Sequence, residues 1–136
     1  MASTKYNLIV KKEYYKLSKD NPTIGLLMMV KNEKKRINVS LESMVGSKGE
    51  KWVDAVIIFD TGSTDNTVQI ITEFCEKNKI NLYLIQGEFE NFSISRNVSL
   101  EFADTIDVHY LLLLDCNDEL KGGDKLRTFA KTAINQ

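Results

Sequence analysis

Four short apolar runs divide the chain, and each is followed by apolar residues at helical spacing. The runs cover residues 23–30, 53–59, 80–85 and 108–114. They are short and almost wholly apolar, as expected of strands that are buried on both faces. Apolar residues recur every three or four positions within 37–45, 68–75, 93–103 and 126–134, which predicts four helices.

This alternation of strands and helices predicts an α/β fold with a Rossmann-like, three-layer α/β/α arrangement and a mainly parallel sheet. Pro22 marks the entry into the first predicted strand, and residues 22–136 are expected to form one domain. Residues 1–21 are predicted to be a leader segment. Their apolar residues suit either a short helix or a strand docked on the domain, and both alternatives stay open.

Composition excludes several classes of protein. The chain has 136 residues and a net charge of −1, so no strong basic field would attract nucleic acid or an anionic membrane. The longest apolar run, residues 24–30, is too short to span a bilayer, and the first 20 residues do not resemble a secretory signal. Cys75 and Cys116 have no metal-type spacing. The expected setting is cytoplasmic.

The tetrad DTGS at residues 60–63 is identical to the sequence around the catalytic carboxylate of aspartic proteases. Four letters are a weak motif. A protease of that class needs a β-rich fold, whereas the residues after Ser63 have helical spacing. The second interpretation, in which Asp60 lies at the tip of a parallel strand, agrees better with the flanking sequence.

Polar residues follow three of the predicted strands directly. They are residues 31–33 after the first strand, 60–63 after the second and 115–118 after the fourth. If the fourth strand lies beside the first, these tips share one crevice at the carboxyl edge of the sheet, where ligands of such folds bind. Carboxylates grouped without cations repel each other, so a divalent ion such as Mg²⁺ or Mn²⁺ is expected there. Neither GxGxxG nor a P-loop is present.

Six ordered motifs carry a resemblance to a known family. The chain resembles the N-terminal, nucleotide-sugar-binding half of a family 2 glycosyltransferase with the A-type glycosyltransferase fold. The matching segments are MMVKNE at 28–33, LES at 41–43, WVD at 52–54, FDTGSTDNT at 59–67, SRN at 95–97 and LLDCNDEL at 113–120.

The resemblance implies transfer of a sugar from a UDP-sugar donor to an unidentified acceptor, assisted by Mn²⁺ or Mg²⁺ and with inversion. It also implies roles for individual residues, while the catalytic residue itself stays unknown. The residues implied to contact the nucleotide are Lys31, Asn32, Glu33, Asp60, Arg96 and Asp115. Of these, Asp60 would face the base and Arg96 would approach the diphosphate. The metal would bind to Asp115, Asn117 and Asp118.

Two departures from the family pattern keep alternatives open. Asn117 stands where the family usually has an aspartate, so either Asp118 takes that role or metal binding is weakened. The chain ends before the family's acceptor half and general base, so a non-catalytic nucleotide-binding or interaction module is the alternative function. A nucleotidyltransferase is a further rival, and a truncated sheet could self-associate as a homo-oligomer.

Simpler roles compete with these assignments. Asp60 could cap the helix that follows it, and Glu33 could be a charge at a helix N-terminus. Arg96 could pair with a glutamate nearby in the sequence. His109, inside an apolar strand, is interpreted as a core or edge residue.

Overall fold

The computed structural model describes residues 6–17 and 22–134. Its centre is a five-stranded sheet with the order β1-β4-β3-β2-β5. Only β1 is antiparallel to its neighbour; the other three pairings are parallel. The strands are β1 Tyr6–Lys12, β2 Ile24–Val30, β3 Ala55–Asp60, β4 Asn81–Gly87 and β5 Tyr110–Leu113.

Four helices cover the two faces of the sheet. They are α1 Ile37–Glu42, α2 Thr67–Asn78, α3 Phe92–Asp104 and α4 Gly123–Ile134. Residues of α1, α2 and α4 belong to one apolar core, and residues of α3 belong to the other. The predicted three-layer α/β fold with a mainly parallel sheet is thereby confirmed. Among the described residues, no helix is long and apolar enough to cross a membrane.

Part of the predicted leader belongs to the sheet. Residues 6–12 form the strand β1, which pairs with β4 from Tyr6 opposite Gly87 to Lys12 opposite Leu82. Of the two alternatives, helix or strand, the structure therefore contains the strand. Residues 13–17 follow the strand and are described, whereas the remaining leader residues, 1–5 and 18–21, lie outside the described residues.

The central strands have no solvent-facing side, which explains their continuous apolar sequence. All six residues of β3 are buried. Val56 and Ile58 pack in the core on the α1 and α2 face, whereas Ile57 and Phe59 pack in the core on the α3 face. Successive residues of a strand point to opposite faces. This alternation assigns each residue at a strand tip to one side of the sheet.

The chain changes direction across the sheet after β4. It runs from β2 to β3 to β4, and α3 then carries it back to β5 on the other side of β2. Strand β5 pairs with β2 in parallel, with Ile24 opposite Tyr110 and Leu27 opposite Leu113. The fourth predicted strand, β5, thus lies beside the first predicted strand, β2, which is the condition for a shared crevice at their tips. Their carboxyl ends flank the point where strand order reverses, which is where open α/β sheets bind ligands.

Candidate functional site

A cavity of about 250 Å³ lies at this reversal point. Its wall comes from β2, from the first two turns of α3 and from the end of β5 with the segment that follows it. The apolar part of the wall is Leu27, Met29, Leu113 and Leu114, and the polar part is Arg96, Ser99, Asp115 and Asp118. Two carboxylates and one guanidinium therefore face a single space.

The helix α3 positions Arg96 at the carboxyl edge of the sheet. The helix is capped by Asn91, whose Oδ1 accepts a hydrogen bond from the Ile94 N–H at 2.9 Å. Ser95, Val98 and Ser99 are buried against the sheet, so the helix has a defined inward face. Arg96 is exposed and lies beside that face. Its planar guanidinium suits bidentate contact with phosphate oxygens.

The acidic segment 115–118 is a tight turn. The Asp118 N–H donates to the Asp115 carbonyl at 2.9 Å, and the Asp115 N–H donates to Asp118 Oδ2 at 3.1 Å. The turn points both aspartates toward the cavity, while Asn117 is exposed and outside its described wall. Cys116 is buried beneath the turn, and burial raises the pKa of its thiol to about 12.

One buried serine anchors this turn from below. Ser40 of α1 is fully buried, and its Oγ lies 2.6 Å from the Cys116 carbonyl and also contacts the Asp118 carbonyl. A second serine of the same segment, Ser43, accepts a hydrogen bond from the Leu120 N–H at 2.9 Å. Ser40 was not identifiable from the sequence, because a serine on a helix that binds a loop some 75 residues later has no local signal.

Replacing Ser40 should loosen the acidic turn. A hydroxyl has one proton, so Ser40 donates to one carbonyl at a time, and Ser40→Ala should lower the free energy of unfolding by about 1 kcal/mol. Urea denaturation followed by circular dichroism measures this change. Ser43→Ala is the comparison variant. It removes the neighbouring hydroxyl, which contacts Leu120 and not the carbonyls of the acidic turn. A Ser40→Ala variant as stable as the parent chain would show that the anchor contributes nothing.

Asp60 is fully buried, and donors of the protein already occupy its carboxylate. Ser63 Oγ donates to Oδ1 at 2.5 Å, Gln86 Nε2 donates to Oδ2 at 2.7 Å, and the Ser63 N–H approaches both oxygens at 3.2 Å. Asp60 also follows Val56 and Ile58 in the alternation of β3, which places it toward the α1 and α2 face. Arg96 approaches from the other face.

The tip of β2 is tied to the loop after β3. Asn32 has a left-handed backbone with a φ of 51°, a conformation that asparagine tolerates. Its Oδ1 accepts from the N–H groups of Thr64 at 2.7 Å and Asp65 at 3.2 Å, and its own N–H donates to Ser63 Oγ at 2.9 Å. The Asn32 side chain therefore holds two loops together.

The neighbours of Asn32 have different surroundings. Glu33 forms a salt bridge with Arg36 at 2.9 Å, three residues later, and its N–H donates to Thr67 Oγ1 at 2.8 Å. Lys31 is exposed. The structure thus brings Arg96, Asp115 and Asp118 together, whereas the other predicted site residues lie outside the described cavity wall: Lys31, Asn32, Glu33, Asp60 and Asn117.

Metal ligands are sparse in the described part of the chain. Within residues 6–17 and 22–134, no group of three or more His, Cys, Asp or Glu side chains is arranged to hold a metal ion. Asp115 and Asp118 supply two carboxylates at the cavity, and no salt bridge found among the described residues involves them. A cation at this wall would need further oxygen ligands from water or from a bound anion.

Comparison with solved structures finds the same architecture elsewhere. The crystal structure of S. aureus TarS 1-349 aligns with a TM-score of 0.64 and 23% sequence identity, as does its complex with UDP-GlcNAc. The alignment with TarS covers 83% of this chain and 32% of that chain. The complex of TarS 1-349 with UDP aligns with a TM-score of 0.56 and 24% identity over 82% of this chain and 31% of that chain.

Comparison with curated sequences gives a shorter match. An uncharacterised protein of Methanocaldococcus jannaschii is 58% identical over 36 residues, which is 26% of this chain and 15% of that protein. The chain thus spans less than a third of these relatives' length.

The sequence profile of one family matches most of the chain. Residues 26–135 match the family described as Glycosyl transferase family 2. The match runs from β2 to the end of α4 and includes every residue that lines the cavity at the reversal point. The resemblance seen in the sequence motifs is therefore confirmed: the chain belongs to glycosyl transferase family 2.

Proposed function

We propose that the chain binds a UDP-sugar at the cavity and that the protein to which it belongs transfers the sugar to an acceptor, with Mn²⁺ or Mg²⁺ as cofactor. The observation that carries the proposal is the convergence of Arg96, Asp115 and Asp118 on one cavity in a family 2 domain. The UDP and UDP-GlcNAc complexes of TarS, which has the same fold, support this class of donor.

The residues at the acidic turn fit a divalent cation in part. Asp115 and Asp118 offer hard carboxylate oxygens, which Mg²⁺ and Mn²⁺ prefer. Two protein ligands leave coordination positions for water and phosphate oxygens, which is the usual mode of Mg²⁺ at nucleotide sites. We assign the metal to these two aspartates; Asn117, outside the wall, is the less favoured third ligand. When bound, the ion would neutralise charge on the departing diphosphate.

The chain's own residues would hold the donor in place. Arg96 would bind phosphate oxygens through its guanidinium, on the cavity wall formed by α3. Ser99, one turn further along the helix, also lines this space, and its hydroxyl donates to the Arg96 carbonyl at 2.8 Å. The apolar side chains of Leu27 and Met29 form the floor and exclude water beneath the diphosphate, which strengthens these polar contacts.

Calorimetric titration with UDP tests the proposal. UDP should bind in Mn²⁺, and Asp115→Ala should weaken binding at least tenfold, because the ion loses one of two carboxylates. Glu119→Ala is the matched control, since Glu119 is an exposed acid next to the turn and outside the cavity wall. AMP serves as the control ligand.

Each alternative result has a distinct meaning. UDP binding that persists unchanged in EDTA would contradict the metal assignment and favour a metal-independent binding module. Absence of UDP binding from a folded sample, in Mn²⁺ and in EDTA, would overturn the proposed function. Equal losses in Asp115→Ala and Glu119→Ala would point to a general charge effect rather than to a specific site.

A further inference from the structure

A second cavity lies on the α3 face of the sheet, between the edge strand β1 and the last turn of α3. Its volume is about 340 Å³, which is within the range of small-molecule sites. We call it the β1 cavity. Its apolar wall comes from β1, from the segment that follows β1, from β4 and from α3, in that order through Leu8, Leu17, Tyr83 and Phe102.

The β1 cavity is separate from the cavity at the reversal point. The two cavities lie on opposite flanks of α3: Arg96 and Ser99 face the β2 and β5 side, whereas Phe102 faces the β1 and β4 side. They have no wall residue in common. A ligand in the β1 cavity would therefore bind without the residues proposed to hold the donor.

Hydrogen bonds hold the polar wall of the β1 cavity in place. Lys11 of β1 is paired with Tyr83 of β4, which puts both side chains on the same face of the sheet. The Tyr83 hydroxyl donates to Glu13 Oε2 at 2.8 Å. Asn81 is fully buried, and its Oδ1 fixes the next part of the chain by accepting from the Tyr14 N–H at 2.8 Å. The cavity is therefore formed in the absence of a ligand.

Four charged side chains line the β1 cavity, two of each sign: Lys11, Lys16, Glu13 and Asp107. Glu13 and Lys11 form a loose salt bridge at 3.7 Å. No salt bridge found among the described residues involves Lys16 or Asp107. Burial is the main cause that raises the pKa of Tyr83, and the hydrogen bond to Glu13 and the charges of Glu13 and Asp107 raise it further, so both carboxylates act on this hydroxyl.

This wall is complementary to a ligand that carries both charges. A carboxylate binds an ammonium group through charge-assisted hydrogen bonds, and a lysine binds a carboxylate in the same way. A ligand with a single charge would satisfy the wall charges of one sign only. An apolar body would displace water from the apolar wall, which is favourable in proportion to the area covered. An apolar amino acid combines these three groups in a molecule of suitable size.

We propose that the β1 cavity binds a small zwitterion with an apolar body, the chemical class of the apolar amino acids. The ammonium group would contact Glu13 and Asp107. The carboxylate would contact Lys16, and the apolar body would lie against Leu17 and Phe102. The proposal goes beyond the transfer of a sugar and does not depend on UDP binding.

Nuclear magnetic resonance titration of the isotope-labelled 136-residue chain tests the proposal with three probes that share one ring. Phenylalanine carries both charges, phenethylamine lacks the carboxylate and hydrocinnamate lacks the ammonium group. Phenylalanine should shift the amide signals of Tyr83 and Thr105, which line the cavity. Each of the other two probes should bind about tenfold more weakly, because one charged contact is lost.

Variants separate the two charged contacts. Asp107→Asn should weaken phenylalanine binding about tenfold and leave hydrocinnamate binding unchanged, because hydrocinnamate has no ammonium group. Lys16→Gln should weaken phenylalanine binding and leave phenethylamine binding unchanged. Glu101→Gln and Lys12→Gln are the matched controls, since both residues are exposed and lie outside the cavity wall. Neither control should change the affinity for phenylalanine.

Four results would overturn the proposal. They are absence of phenylalanine binding to the folded chain, equal affinities for phenylalanine and for either single-charge probe, equal losses in Asp107→Asn and Glu101→Gln, and signal shifts at Arg96 and Ser99 instead of Tyr83. Asp115→Ala should leave phenylalanine binding unchanged, because Asp115 lines the other cavity. A chain that binds phenylalanine but not UDP would support this proposal and contradict the proposed function, so the two can fail separately.

Discussion

Asp60→Ala should lower the free energy of unfolding by about 3 kcal/mol, which corresponds to a fall in Tm of about 10 °C. The carboxylate is fully buried and accepts hydrogen bonds from Ser63 and Gln86. Hydrogen bonds to a charged group are worth more than neutral ones, and truncation leaves the donors without a partner inside the protein. The amide of Gln86 comes from a neighbouring strand, so the loss also weakens the junction between β3 and β4.

Urea denaturation of Asp60→Ala and Asp60→Asn measures the effect. The asparagine variant keeps the shape of the side chain and should lose less stability than alanine. Asp104→Ala is the control, because Asp104 is an exposed acid at the end of α3. If Asp60→Ala is as stable as the parent chain but loses UDP binding, the carboxylate binds the ligand, and the predicted contribution to stability is wrong.

Arg127→Ala should lower the free energy of unfolding by about 2 kcal/mol. The guanidinium forms a two-pronged contact with the Asp54 carboxylate, with distances of 2.7 and 2.9 Å, and its Nε donates to the Lys51 carbonyl at 3.2 Å. Removal of one partner from a buried ion pair leaves the other charge uncompensated. Both side chains keep some contact with solvent, 23% for Arg127 and 17% for Asp54, so the effect is smaller than for a fully buried pair.

This ion pair fixes α4 to the beginning of two strands. Asp54 precedes β3, and its Oδ2 also accepts from the Ile24 N–H at the start of β2, at 2.8 Å. The Tyr15 hydroxyl donates to the Asp54 carbonyl. Burial is the main cause that raises the pKa of this tyrosine, and the negative charge of Asp54 is the second cause. Loss of Arg127 should therefore loosen α4 first.

Thermal unfolding and hydrogen exchange of α4 amides test this prediction. Arg127→Lys keeps the charge and loses the planar fork, so it should recover only part of the stability. Lys131→Ala, an exposed cation one turn further along α4, should change little. Equal stabilities of Arg127→Ala and Lys131→Ala would show that the fork does not hold the helix.

The strands and helices were predictable because their signals are local. The continuous apolar runs of β2 and β3 follow from burial on both faces, and the spacing of Val98 and Phe102 follows from one inward face of α3. The antiparallel strand β1 was left open between helix and strand. Its residues are mostly exposed, so no alternation of buried and exposed positions announces it.

Part of the candidate site was also predictable. Polar residues at strand ends are visible in the sequence. The pairing of β5 with β2 then brings Asp115, which lies just after β5, near the tip of β2. The anchor of the acidic turn, Ser40, was not identifiable, because the carbonyls that it contacts lie about 75 positions later in the chain.

The sequence by itself determined the family, the order of elements and which residues stand at the strand tips. The tertiary structure alone decided which of these residues face a common space. In a strand buried on both faces, both sets of side chains are apolar, so the sequence does not reveal that Asp60 and Arg96 belong to opposite faces. It also does not reveal that Gln86, 26 positions later, occupies the Asp60 carboxylate. Such pairings depend on strand register, which forms only when the sheet does.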